Sequence, residues 1–158
     1  MEKSALLSSC GTFRYRLGRK WGNGEVLVFV MLNPSTADHR EDDATIRRCV
    51  GFAQSHGYSA VDVVNLYAFR ARHPSDLRAA GYPVGPENDM HIRDAVEHAG
   101  AACVAWGSNA NGHVREERVL QLIRSTGAVP LALGVTQAGS PRHPLMLRST
   151  SELVAFGA

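Results

Sequence analysis

No apolar run in this chain approaches the roughly 20 residues that a membrane helix needs. The N-terminal stretch MEKSALLSSCG sets an acid beside its lysine. Its apolar part is too short for a signal peptide. A cytoplasmic protein with no membrane partner is therefore expected. Cysteine is scarce: Cys10, Cys49 and Cys103 are the three present. An odd count argues against a disulfide framework. No C-x-x-C or H-E-x-x-H spacing occurs, so no structural zinc site, metal or cofactor is expected. Cys49 and Cys103 fall in apolar patterns, as buried thiols do. Strong charge is also missing. A net charge of +2 does not by itself mark a nucleic-acid partner, though it leaves room for a compact basic patch. Internal repeats, linkers and low-complexity segments are lacking too, which makes residues 1–158 one domain, large enough for a real core.

What is present starts with VLVFVMLNPSTAD, Val26 to Asp38. Seven apolar residues run from Val26 to Leu32 without a polar break. A strand with that pattern is buried on both faces, as in a sheet covered by helices. Pro34 ends it, because proline cannot donate to a sheet ladder. Further strands are expected at Ala60 to Val64, Ala101 to Trp106 and Val129 to Leu133. Helices are expected between them. The first holds Ile46, Cys49, Val50 and Ala53 on one face, with Asp42 or Asp43 as cap and Gly57 as stop. The second opens at Pro86 and carries Ile92, Ala95, Val96 and Ala99. The third covers Val114 to Ser125. Upstream, Phe13, Tyr15 and Leu17 alternate with Arg14 and Arg16, which suggests a short edge strand. Ser149 to Phe156 is read as a short final helix. The alternation of strands and helices predicts a three-layer α/β/α sandwich on a parallel four-stranded sheet. Counted from Val26, the strand order expected is 2-1-3-4.

Four strand ends then carry polar groups: Asn33, Asn65, Ser108-Asn109 and His143. In a parallel sheet they share the carboxyl edge, where open α/β sheets bind ligands. Two amides and an imidazole make a neutral site, suited to reading a nucleobase edge or stabilising an oxyanion. Taken singly, each has a plainer use as a turn former or a backbone cap. Arginines suit phosphates because their planar fork binds oxygens bidentately. Arg14, Arg16, Arg70, Arg72 and Arg142 are the cations available, though solvated surface positions would equally explain most of them.

The segments MLNPSTAD, DDATIRRC, VNLYAFRAR, GPEND and PRHPL resemble a bacterial and phage family, domain of unknown function number 1643. The resemblance spans about Phe13 to Leu147. More distantly, the motif order resembles the uracil-DNA glycosylase superfamily. Asn33-Pro34 matches its water-positioning residue before proline. Asn65 matches the asparagine that reads the pyrimidine edge. Trp106-Gly107 matches the end of the third strand, and His143-Pro144 the histidine that faces the leaving base. The pattern departs at Leu32, where those enzymes have glycine, and at Asp38 to Arg48, which has no counterpart. It departs again in the nine residues between Leu133 and His143. No Pro-Ser follows His143.

The distant resemblance implies a glycosylase hydrolysing the N-glycosidic bond of a modified or damaged base, within DNA repair. The substrate would be DNA, single-stranded or with a flipped nucleotide. Asn33 and His143 would be catalytic. Pro34, Ser35, Asn65, Tyr67, Ser108 and Arg142 would bind substrate, with Tyr67 stacking on the base unless core packing claims it. Two alternatives stand beside this reading. One is a non-catalytic module that binds nucleic acid or free nucleotide. The other is an enzyme acting on a different nucleotide or glycosidic small molecule.

Overall fold

The computed structural model of the chain describes residues 1–148 and 150–157. Seven strands form one sheet. They are β1 (Glu2–Leu7), β2 (Arg14–Lys20), β3 (Val26–Met31), β4 (Ala60–Asn65), β5 (Ala101–Val104), β6 (Pro130–Ala132) and β7 (Val154–Ala155). Four α-helices accompany them among the described residues: α1 (Ala44–Ser55), α2 (Pro74–Ala79), α3 (Asn88–Glu97) and α4 (Val114–Ser125). The sheet order is β1-β2-β4-β3-β5-β6-β7. Strands β4, β3, β5 and β6 are mutually parallel. The sheet is larger than the four strands expected, because β2 joins β4 antiparallel, β1 joins β2, and β7 joins β6.

Period-two alternation along the central strands sorts the core into two halves. Val28, Val30, Val64, Ala102 and Val104 meet Ile92 and Ala95 of α3 and Val119 and Ile123 of α4. Leu27, Phe29, Val61, Val63 and Cys103 meet Ile46, Cys49, Phe52 and Ala53 of α1. Both faces of β3 are thus covered, which is why its sequence is apolar without interruption. Burial holds the Cys49 thiol well above its usual range and pushes Cys103 up to about 12, so both are inert packing groups. No described helix is long and apolar enough to cross a membrane.

Three expectations are corrected. Strand β2 is not an edge strand, since β1 covers it. The regular alternation expected across Phe13 to Leu17 is broken by a bulge. Leu6 faces Arg16, yet the next residue, Leu7, faces Arg14, which leaves Tyr15 as the extra residue. Tyr15 therefore shares a face with Arg16. Its ring stacks on His91 of α3 at 4.9 Å, and Arg16 pairs with Asp94 of the same helix. Finally, no helix forms over 151–156. Residues 154–155 are β7, and Ser149, which the expected helix included, lies outside the described residues. A two-residue strand has no periodicity of its own; pairing with Leu131 and Ala132 is what makes it one.

Candidate functional site

The carboxyl ends of β3, β4 and β5 open into a cleft of about 640 Å³, within the range of small-molecule sites. Asn33, Ser35, Asn65, Ser108, Arg142 and His143 all line it. Pro34 and Tyr67 are not among its lining residues. Pro34 is buried beneath the loop, and its carbonyl accepts from the Ala71 N–H at 2.9 Å. Tyr67 packs in the α3–α4 half of the core against Tyr82, 5.3 Å between ring centres.

Each site residue is delivered by a local device. After β3 the chain turns at Asn33, whose Nδ2 donates to the carbonyls of Ala71 (2.9 Å) and Pro34 (3.0 Å). Its amide nitrogen thus ties the loop after β3 to the loop after β4. Only Oδ1, an acceptor, remains for other use. Asn65 is the last residue of β4, paired opposite Met31. Its backbone carbonyl accepts from Nδ2 of Asn88 at 2.9 Å, which fixes the strand end. The side chain is another matter. Asn65 is 1% exposed, and neither Nδ2 nor Oδ1 has a hydrogen-bond partner among the described residues. Trp106, following β5, is 2% exposed, and its Nε1 is likewise unpartnered. Gly107 then takes a positive φ of 73°, which bends the chain toward Ser108 and Asn109.

His143 arrives by a hairpin. Arg142 N–H donates to the Gly134 carbonyl at 3.0 Å, and Thr136 N–H to that of Ser140 at 2.7 Å. The nine residues after Leu133 are therefore a folded turn that brings Arg142 and His143 back over the sheet edge. A further bond, Gly107 N–H to the Pro141 carbonyl at 2.9 Å, fastens this turn to the loop after β5. The His143 Nδ1 accepts from the Leu145 N–H at 3.2 Å. An accepting Nδ1 places the proton of the neutral ring on Nε2, which makes Nε2 a donor. Burial lowers the His143 pKa below its ordinary 6.5, with the Asp43 charge opposing that shift in part. The imidazole is consequently neutral at pH 7.

Asp43 was not legible as a cleft residue. Asp43 lines the cleft while its Oδ1 accepts from Ile46 N–H at 2.8 Å, capping α1. The cap was visible in the sequence; its place in the cleft depends on where α1 docks. Arg14, at the start of β2, also lines the cleft although it is only 2% exposed. The cations read as available to phosphates divide sharply. Arg14, Arg72 and Arg142 line the cleft. Arg16 does not, and is taken up by Asp62 (2.6 Å) and Asp94 (2.5 Å). That corrects its reading as a free phosphate ligand. The paired acids also part company. Asp43 is the helix cap, whereas Asp42 joins Arg19 at 2.8 Å and Lys3 at 3.4 Å.

The arrangement offers fixed acceptors and donors around a buried amide, a neutral imidazole donor and several cations. One carboxylate, Asp43, is present and already holds a backbone N–H. A family model described as "Protein of unknown function (DUF1643)" matches residues 14–145. Neither the curated proteins nor the solved structures yield a match.

Proposed function

The chain belongs to the DUF1643 family, and from that premise we propose that its cleft binds one nucleotide and hydrolyses the bond between base and sugar, as a DNA glycosylase does. The observation that carries this reading is Asn65. An asparagine 1% exposed, with both amide atoms unpartnered, destabilises the free protein by roughly 1–3 kcal/mol. Such a group is relieved by a ligand that presents a donor beside an acceptor, which is what a nucleobase edge does. The distant resemblance of the Asn33-Pro34, Asn65 and His143-Pro144 motifs to the uracil-DNA glycosylase superfamily supports the same reading.

In this mechanism Asn65 holds the base edge. The C1′–N bond breaks and its electron pair leaves with the base. His143, neutral with a proton on Nε2, donates a hydrogen bond to the negative charge that develops there. Asn33 Oδ1, fixed by the two bonds of its own nitrogen, accepts from a water and orients it toward C1′. That water adds to the sugar, and its proton ends on the released base. An amide is a weak base, so the rate rests on stabilising the leaving group and is slow.

The test is abasic-site formation on oligonucleotides carrying a panel of modified bases. Cleavage of one base class, reduced at least about 100-fold in both His143→Ala and Asn33→Ala, is the expected result. If no abasic site forms on any member of the panel, the hydrolytic reading fails. Nucleotide binding without turnover would then establish a non-catalytic module that uses the same amide.

A further inference from the structure

The bulge at Tyr15 does more than correct the strand pattern. In a regular strand Arg14 and Arg16 would point to the same face. The extra residue turns Arg14 to the opposite face from Arg16. Arg16 reaches the carboxylates of Asp62 and Asp94. Arg14 instead enters the cleft, where its Nη1 donates to the Ala37 carbonyl at 2.9 Å and its Nε has no partner among the described residues. No described carboxylate forms an ion pair with it, although it is 2% exposed. Burial lowers its pKa to about 10, with the charge of Asp43, which lines the same cleft, opposing that shift in part; the group is still charged at pH 7. Asp43 answers that charge only at longer range, since it forms no ion pair with Arg14, and a buried cation without a close partner is unfavourable. The cleft it lines also holds Arg142, Arg72 and the unpartnered amide of Asn65.

We infer that Arg14 is the anion anchor of the cleft, holding a phosphoryl group of the same ligand whose base Asn65 reads. The identity of the ligand's other half rests on the nucleotide reading above; the anion site does not. A guanidinium suits this task because its planar fork meets two phosphoryl oxygens at once. The phosphoryl group could belong to a free mononucleotide or to a strand, and the chemistry at Arg14 is common to both.

Calorimetric titration of the full chain separates these possibilities. The probes are the deoxynucleosides of the four common bases and of the modified bases in the panel above, their 5′-monophosphates, trinucleotides of the same bases, and inorganic phosphate. At least one monophosphate is expected to bind about tenfold or more tighter than its nucleoside. In Arg14→Gln that preference should fall to within about twofold, with the nucleoside still bound. Arg14→Lys, which keeps the charge and loses the fork, should retain part of it, and its melting curve checks that the fold survives. A trinucleotide that gains further Arg14-dependent affinity assigns the phosphoryl group to a strand; no further gain assigns it to a mononucleotide, and both uphold the anchor. A preference that persists in Arg14→Gln, or equal binding of nucleoside and monophosphate, overturns the anchor and leaves the base reading intact. If no nucleoside or nucleotide binds, yet inorganic phosphate raises the melting temperature of the wild type and not of Arg14→Gln, the anchor stands and the nucleotide reading falls. No response to any probe overturns the anchor.

Discussion

Arg14 and Arg19 stand five residues apart on one strand, and both are almost fully buried. At Arg19 the chain closes every account of charge. Its Nε meets Asp42 at 2.8 Å, while its Nη groups reach the carbonyls of Gly18 and Asp38. Asp42 in turn takes Lys3 of β1. At the other end of the strand Arg14 has one backbone carbonyl and, among the described residues, no carboxylate within ion-pair distance; Asp43 acts on it only at longer range. The same contrast runs along the sheet. The β1–β2 flank binds its buried polar atoms to one another; the carboxyl edge leaves those of Asn65, Trp106 and Arg14 open. The flank uses buried charge to fix how the loop 38–43 sits against the sheet. The cleft holds open groups that lower stability, the usual trade at functional sites.

The comparison is broken most directly at Arg19. Arg19→Met takes the donor from Asp42 Oδ1 and from the carbonyls of Gly18, Asp38 and Glu41, and is expected to lower unfolding free energy by about 3 kcal/mol in urea titrations. A loss under about 1 kcal/mol would mean that the flank network contributes little. Arg16→Met releases Asp62 and Asp94 from a more exposed site, so about 1 kcal/mol is expected from the same titration. Asn65→Leu should act with the opposite sign. It keeps the side-chain shape and removes two unsatisfied atoms, so stability should rise by about 1 kcal/mol while nucleotide binding is lost. A clear drop in melting temperature would show that the amide is already satisfied in the free protein.

The smallest effect is at His143. Burial lowers its folded pKa, so between 6.5 and that lowered value the unfolded chain binds more protons than the folded one. Stability therefore rises with pH across that window and is flat above it. His143→Gln should remove this part of the slope, which lies below pH 6.5, in melts of the two proteins. An unchanged slope would mean that the ring is not desolvated in the folded state.

Much of this molecule was legible because its signals are local. The apolar run of β3, the Asp43 cap with its Ile46, Cys49 and Ala53 face, and the span of α4 each follow from neighbours in sequence. Other elements carry no such signal. Strand β1 is mostly exposed, with neither an apolar run nor an alternation to mark it. Helix α2 has six residues, too few for a period, although His73-Pro74 marks its start. The bulge at Tyr15 arises from pairing with β1, which nothing within residues 13–17 encodes.

The sequence by itself determined which polar residues end the strands, because a strand's end is set by its own apolar run and the proline or turn that follows. It could not determine which of those residues would be left open. Asn33 and Asn65 look alike as strand-ending amides. Only the fold places the Ala71 carbonyl against the nitrogen of one, while nothing among the described residues reaches either amide atom of the other. Nor could it separate Arg14 from Arg16, since the carboxylates that decide between them lie on β4 and α3. A hydrogen bond or ion pair depends on where a second group arrives from elsewhere in the chain. That position is a property of the packed sheet and its loops, not of the residue that waits for it.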